Sequence, residues 1–135
     1  MKITYVACLL AGVLFLGCET AGTSVTLNHN DGSSALYEGN TRLHNKLAVT
    51  AVTYDKVPAG LNRANFQLTS LVHREIHLQY RISWYNAEGM EIDGEGRTYR
   101  PLILQGLDSV TVTGVANSPA AVTSRIRIRE LRAAD

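Results

Sequence analysis

This sequence contains little cysteine and little proline, and its positive and negative charges are nearly balanced. Its 135 residues include two cysteines and three prolines. Two cysteines are too few for a disulfide scaffold, and without several histidines they cannot complete a four-ligand zinc site. Lysine and arginine number 13 against 12 aspartates and glutamates, a formal net charge of +1 at pH 7. Because nucleic-acid-binding proteins need a large basic excess, this balance argues against nucleic acid as a partner.

The first residues have the pattern of a bacterial export signal. Met1 and Lys2 provide a short positive region, and residues 3–16 form an almost uninterrupted apolar run of 14 residues. This length matches the apolar core of a signal peptide and falls short of the roughly 20 residues that a membrane-spanning helix needs. Residues 1–17 are therefore predicted to be a signal peptide, followed by a chain long enough for one domain.

The segment Leu14-Phe-Leu-Gly-Cys18 resembles the lipobox of bacterial lipoproteins. The resemblance implies that Cys18 is linked to diacylglycerol, that the peptide before it is removed, and that the new amino group is acylated. The apolar run before Cys8, the rival acceptor, is too short to engage a signal peptidase. A buried N-terminal helix with a free thiol is the structural alternative. Sorted lipoproteins of the inner membrane usually carry Asp where this chain has Glu19, so the resemblance favours the periplasmic side of the outer membrane over the inner membrane.

Residues 18–45 are predicted to be a flexible, lipid-anchored tether. They are rich in Gly, Ser, Thr, Asn and Asp and lack sustained apolar periodicity. Asn30-Asp31-Gly32 is a turn signal, and the alternation of Val25 and Leu27 with threonine allows one short strand to dock. Removal of residues 1–17 leaves 118 residues. With Cys18 lipidated, these contain no free cysteine, so the domain must be stabilised by a hydrophobic core.

From residue 46 the apolar residues recur with a period of two, which indicates strands. Asn86-Ala-Glu-Gly89 is a predicted turn in which Gly89 can adopt positive φ at no steric cost. The clearest predicted strand places five side chains on one face: Ile76, Leu78, Tyr80, Ile82 and Trp84. In the first predicted strand after residue 46, one face carries Leu47, Val49 and Ala51 and the other carries Ala48, Thr50 and Val52. The predicted strands are 47–57, 66–70, 76–85, a return strand that starts at 90–92, 98–104, 109–115 and 124–131.

About seven short strands and no convincing amphipathic helix predict an all-β fold over residues 46–135. The expected architecture is an immunoglobulin-like β-sandwich of antiparallel strands, because each strand has one apolar face to bury. Trp84 is predicted to anchor its core. Since the chain lacks the cysteine pair of antibody domains, only the sandwich architecture is expected.

The strand-turn-strand at residues 78–92 resembles the signature of the YcfL family of small bacterial lipoproteins. The positions that match are Tyr80, Arg81, Trp84, Tyr85, Gly89 and Glu91, with Asn86 where the family usually has Asp. Residues 109–116 also resemble the closing strands of that family, so the resemblance covers about residues 45–131. It implies a lipoprotein sandwich in the cell envelope. The family has no established activity, so no mechanism follows.

The sequence contains no clear catalytic or metal-binding motif, and neither a metal nor a cofactor is predicted. His73 and His77 are four residues apart, which separates them by about 13 Å on a strand. His29 and His44 lie in the predicted tether with no third ligand near them in sequence. No Gly-x-Ser-x-Gly nucleophile elbow is present. The acidic residues at positions 88, 91, 93 and 95 are interpreted as a solvated turn in preference to a glycosidase pair.

The candidate binding surface is a ladder of arginines on the last predicted strand. Arg125, Arg127 and Arg129 alternate with apolar residues, so their side chains lie on one face at about 6.6 Å spacing. They form either a surface for an anionic partner or a row of charges that protects an edge strand from pairing with other chains. The second interpretation is favoured. Arg81, Tyr85 and Tyr99 are candidates for an adjoining aromatic and cationic patch.

The sequence therefore favours a non-enzymatic module of the cell envelope, tethered to the membrane by its N-terminal lipid. Its expected partner is another envelope protein or a cell-wall component such as peptidoglycan. The alternative is a periplasmic carrier of a small ligand, held between the two sheets, or an accessory domain of an enzyme.

Overall fold

The computed structural model describes residues 22–38, 41–92 and 98–131. The predicted signal peptide and Cys18 lie outside the described residues. The elements in chain order are β1 (Thr23–Asn28), β2 (Ser34–Glu38), α1 (Thr41–His44), β3 (Leu47–Lys56), β4 (Asn62–Ser70), β5 (Ile76–Tyr85), β6 (Arg100–Leu104), β7 (Ser109–Val115) and β8 (Thr123–Glu130). No helix in these three stretches is both long enough and apolar enough to cross a membrane.

The strands form two antiparallel sheets. Five strands pair in the order β2-β1-β8-β5-β6, and three pair in the order β3-β4-β7. The predicted all-β antiparallel sandwich is thereby confirmed, with eight strands in the described part of the chain where about seven were expected. Both sheets contribute side chains to one buried core.

Of the sequence predictions, the flexible tether agrees least with the structure, because residues 23–38 belong to the sandwich. β1 lies between β2 and β8, and its Val25 and Leu27 are only 3% and 1% exposed. The predicted turn before β2 is present, and Gly32 adopts a φ of 75° there. Two apolar residues among polar ones are a weak sequence signal. Pairing with β8 and burial of both residues nevertheless stabilise the strand.

The core contains Trp84, which the sequence predicts as its anchor. Trp84 is 2% exposed, which confirms its predicted place, and Phe66 and Leu68 of β4 are fully buried. On β5, Ile76 and Leu78 are also buried, while Tyr80 and Ile82 pack against the core at its margin. The apolar face predicted for β5 is therefore correct.

The two-residue alternation of β3 is interrupted by a bulge at Thr50. The register with β4 shifts between Val49 and Ala51, and Val52 then pairs with Phe66. Val49 and Val52 both pack against the core, whereas Ala51 is exposed, so the predicted common face of Val49 and Ala51 is wrong. An unpaired extra residue moves every later side chain to the opposite face.

The turn after β5 is present as predicted. Gly89 has a φ of 83°, and Asn86 Oδ1 accepts hydrogen bonds from the amides of Glu88 and Met90 at 3.0 and 2.9 Å. The expected return strand is reduced to one isolated bridge between Tyr85 and Glu91 within the part of this segment that the structure describes.

Candidate functional site

The arginine ladder lies on a central strand, not on an edge. β8 pairs with β1 on one side and with β5 on the other. The preferred explanation of the ladder as protection of an edge strand is therefore wrong, because both backbone edges of β8 are already paired. Strand order depends on pairing between distant segments, and neither the sequence of β8 nor its charge pattern contained that information.

The ladder lies on the outer surface of the five-stranded sheet. Ile126 and Ile128 are fully buried between the sheets, so the arginines that alternate with them point outward. Arg81 on β5 lies directly opposite Arg127 in the strand register. The structure thus brings the predicted patch together on one surface, here called the arginine face: Arg81, Arg125, Arg127, Arg129, Tyr85 and Tyr99.

Arg125 and Arg127 are oriented by neutral neighbours. Arg125 Nε donates a hydrogen bond to Thr26 Oγ1 at 2.9 Å, and its guanidinium lies 5.2 Å from the centre of the Tyr85 ring. Arg127 Nη2 lies 3.5 Å from the hydroxyl oxygen of Tyr85. Because these neighbours carry no charge, they hold the guanidinium groups in place without neutralising them.

The other half of the arginine face is organised around Tyr99. The guanidinium carbon of Arg129 lies 3.7 Å from the centre of this ring, and that of Arg81 lies 5.3 Å from it. Arg129 Nε also donates to Gln79 Oε1 at 2.9 Å. These distances are typical of cation–π contacts, which restrict where the two guanidinium groups can lie.

A groove of about 260 Å³ adjoins Arg125 and Arg127. It is lined by Gly22, Thr23, Ser24, Tyr37, Tyr99, Arg125, Arg127 and Ile128. Its walls thus combine hydroxyl groups, two tyrosine rings and two guanidinium groups, which suit a partner with both an anionic group and a flat or apolar surface.

The positive charge of the ladder is not cancelled by carboxylates in the described part of the molecule. The ion pairs there join Lys46 to Glu130, Arg63 to Asp55 and His77 to Glu75. Among the same residues, the terminal nitrogens of Arg125 and Arg129 have no hydrogen-bond partner. An anion that approached this surface would therefore meet unneutralised donors.

Two residues at this surface were not predicted as site residues from the sequence. Thr26, which orients Arg125, and Tyr37, which lines the groove, lie in β1 and β2, within the predicted tether. For β1, the sequence signal is the alternation of Ser24 and Thr26 with Val25 and Leu27, which predicts one short strand.

His29 lies beside a serine, and the geometry of this pair argues against nucleophilic catalysis. Its Nε2 lies 3.0 Å from Ser124 Oγ, and its ring packs against Trp84 at 5.0 Å between ring centres. Ser124 is completely buried, and no described group bonds to His29 Nδ1. Burial, reinforced by the positive charge of Lys56, lowers the pKa of His29. A nucleophilic serine needs access to substrate and a base oriented by a third group, and the described residues supply neither.

The remaining candidates do not assemble into a metal or acid site. His77 is exposed and lies 2.8 Å from Glu75, which lowers the pKa of that carboxyl, as does a hydrogen bond from Gln105. No three His, Cys, Asp or Glu side chains cluster anywhere in residues 22–38, 41–92 and 98–131. Of the acidic turn, residues 93 and 95 lie outside the described residues.

Fold and site together define a small antiparallel β-sandwich whose larger sheet presents a cationic and aromatic outer surface. Residues 34–130 match the model of a protein family described as a protein of unknown function, DUF1425, and the chain belongs to this family. The matched region begins at β2, so β1 precedes it. No curated protein matches the sequence.

Two solved bacterial structures have similar folds. The chain is 30% identical to a DUF1425 family member from Shewanella sp. pv-4, with a TM-score of 0.58 over 65% of this chain and 81% of that one. It is 17% identical to cj0090 of Campylobacter jejuni, with a TM-score of 0.54 over 62% of this chain and 85% of that one. The second similarity concerns the fold alone.

Proposed function

We propose that this protein is a non-enzymatic, lipid-anchored module of the cell envelope that binds an anionic partner through its arginine face. It is attached by Cys18 to the outer membrane and faces the periplasm, as the lipobox and Glu19 suggest. The resemblance of residues 78–92 to the YcfL lipoproteins supports the same assignment within the wider family.

This proposal rests mainly on the position of Arg125, Arg127 and Arg129 on a central strand. Protection of a sheet edge cannot account for them, because β8 has no free edge. None of the three is paired with a described carboxylate. Arginines held in a row by neutral side chains are suited to bidentate hydrogen bonds with carboxylate or phosphate groups.

The partner is expected to carry carboxylates. The peptide stems of peptidoglycan and the acidic surface of another envelope protein both present several carboxylates close together, as a row of guanidinium groups about 6.6 Å apart requires. Tyr85 and Tyr37 add apolar and hydrogen-bonding surface beside the charges, as aromatic residues commonly do at interfaces.

The test replaces Arg125, Arg127 and Arg129 together by glutamine in the full lipoprotein. Binding is measured by sedimentation with purified peptidoglycan and, in a second arm, by crosslinking to envelope proteins in intact cells. The two arms distinguish the two sources of carboxylate. The variant should lose most of the binding, and binding by the natural chain should fall steeply with salt because the contact is ionic.

The matched control replaces Arg63, Arg74 and Arg100, which removes the same charge from elsewhere on the sandwich. If both triple variants lose binding equally, net charge and not the arginine face is responsible. Retention of both kinds of partner by the ladder variant, with its fold intact, would contradict the proposal.

The groove beside Arg125 and Arg127 also supports a second candidate, a carrier of a small anionic ligand. Its volume of about 260 Å³ fits a single small molecule. The ligand would lie on the outside of the five-stranded sheet and not between the two sheets as the sequence suggests, because Phe66, Trp84 and Ile126 fill that space. Mass spectrometry of the protein under non-denaturing conditions would detect such a ligand.

A further inference from the structure

The proposed anchor and the first strand are only a few residues apart. β1 begins at Thr23, and four residue steps separate Cys18 from Gly22. At about 3.3–3.6 Å per residue, they span at most about 14 Å. A strand of ten residues such as β5 is about 33 Å long. The end of the sandwich where β1 begins, here called the β1 end, therefore stays close to the bilayer that holds the lipid.

The same end carries exposed leucines on three separate segments. Leu71, Leu107 and Leu131 are 48%, 53% and 46% exposed. They lie at the β1 end because Leu71 follows β4, Leu107 precedes β7 and Leu131 follows β8, and the register places those strand ends beside Leu47 and Thr23. Large apolar side chains gathered at one end of a small domain indicate a surface that is covered in use.

Leu107 is exposed and has an unusual backbone conformation. It is the only non-glycine residue with a positive φ, 60°, in the described chain, and its amide donates to the carbonyl of Val72 at 2.9 Å. The left-handed conformation disfavours leucine, and a glycine or asparagine would adopt it at lower cost. A strained position occupied by an exposed leucine points to a use for that side chain beyond the fold.

Charges at the β1 end are compatible with contact with lipid headgroups. Glu130 is paired with Lys46 at 2.7 Å. Glu75 accepts from His77 and Gln105. The Asp108 carboxylate accepts a hydrogen bond from the Ser109 amide. These three carboxylates each have a partner, so headgroup contact would not bury any of the three without one.

We propose that the β1 end rests on the bilayer that holds the Cys18 lipid, with Leu71, Leu107 and Leu131 in the headgroup layer. The inference rests on the lipid anchoring proposed above. Interfacial side chains of this kind penetrate about 5–10 Å, to the boundary between headgroups and acyl chains. The contact fixes the orientation of the domain, so that its long axis stands away from the membrane and the turn around Met90 is farthest from it.

The test uses the absence of other cysteines from the mature lipoprotein. A single cysteine is introduced as Leu107→Cys or Leu71→Cys, with Met90→Cys as the matched control, since Met90 is 66% exposed at the opposite end. Each full lipoprotein is labelled with an environment-sensitive dye and reconstituted into phosphatidylethanolamine and phosphatidylglycerol vesicles. Some vesicles also contain phospholipid with a nitroxide quencher near the headgroup.

The quencher should remove most of the emission from the dye at positions 107 and 71 and leave position 90 unchanged. Acylation of Cys18 is checked by mass spectrometry of the same samples. Unquenched emission at 107 and 71 in an acylated chain overturns the membrane contact and leaves the anchoring intact. A chain without acyl groups overturns both. Emission at 107 that changes with the protein-to-lipid ratio but not with the quencher indicates contact with a second copy and also overturns the proposal.

Discussion

Arg129 and Tyr99 form the tightest cation–π contact of the arginine face, with the guanidinium carbon 3.7 Å from the ring centre. The contact joins the last strand to the segment before β6, and Gln79 holds the same guanidinium group from β5. A single arginine thus connects three parts of the chain on the proposed binding surface.

We expect a double-mutant cycle of Arg129→Gln and Tyr99→Leu to give a coupling free energy of about 0.5–1 kcal/mol, as is usual for exposed cation–π pairs. The free energy of unfolding in urea is the measured quantity. Tyr99→Phe keeps the ring and should retain most of the coupling. A coupling of zero would show that the contact orders neither side chain in solution.

Replacement of Trp84 by alanine should lower the free energy of unfolding by roughly 3–5 kcal/mol, because it empties a large buried site. That loss is about a third of the free energy of unfolding of a typical natural domain, which is roughly 5–15 kcal/mol. Urea titration followed by circular dichroism measures it. A change within experimental error would mean that Trp84 is not part of the core.

The free energy of unfolding should decrease as the pH is lowered below 6.5, the ordinary pKa of a histidine side chain. Burial and Lys56 lower the pKa of His29 in the folded state, so the unfolded chain binds the proton at higher pH. The stabilising contribution is therefore complete above 6.5 and is lost as the pH falls through the folded pKa.

The variant His29→Gln should lack this part of the pH dependence. Urea unfolding of both proteins at about pH 7.5 and about pH 5 isolates it, since the other histidines are present in both. An equal loss of stability in the two proteins would assign the effect to other groups.

Gly22→Ala should destabilise the sandwich by about 1–3 kcal/mol, the usual cost of forcing extra atoms into a packed region. A Cβ at this position would lie 1.7 Å from the carbonyl oxygen of Ile128, so the start of β1 would have to move away from β8. Gly60→Ala is a useful comparison because a Cβ there meets no atom within 4 Å, although its φ of 85° remains unfavourable for alanine. If residue 22 belonged to a flexible tether, Gly22→Ala would have no effect on unfolding.

Cys18→Ser should leave a full-length precursor that incorporates no labelled palmitate. The reason is that Cys18 alone follows both a complete apolar run and a small residue. Electrophoretic mobility and radiolabelling measure processing and acylation. Normal cleavage of this variant would contradict the lipoprotein assignment.

The sequence predicted the strands whose side chains alternate without interruption and whose ends carry turn residues. β7 was predicted with its observed bounds, and β5 with both its bounds and its buried face. These features are local, since a period of two and a glycine with positive φ are properties of neighbouring residues.

The features that were missed depend on contacts between distant segments. The bulge at Thr50 reverses the faces of β3 without any change in its β-branched composition. The central position of β8 and the inclusion of β1 both result from pairing across about a hundred residues. For the same reason the sequence identified the arginines of the candidate site but not Thr26, which lies on the partner strand and orients Arg125.

The pairing of the first strand with the last also constrains when this protein can fold. β1 and β8 are neighbours in the middle of the larger sheet, so that sheet cannot assemble until residues near 130 have been synthesised. A topology dominated by such distant contacts folds slowly. The larger sheet is therefore completed only when the chain that carries all eight described strands has been synthesised.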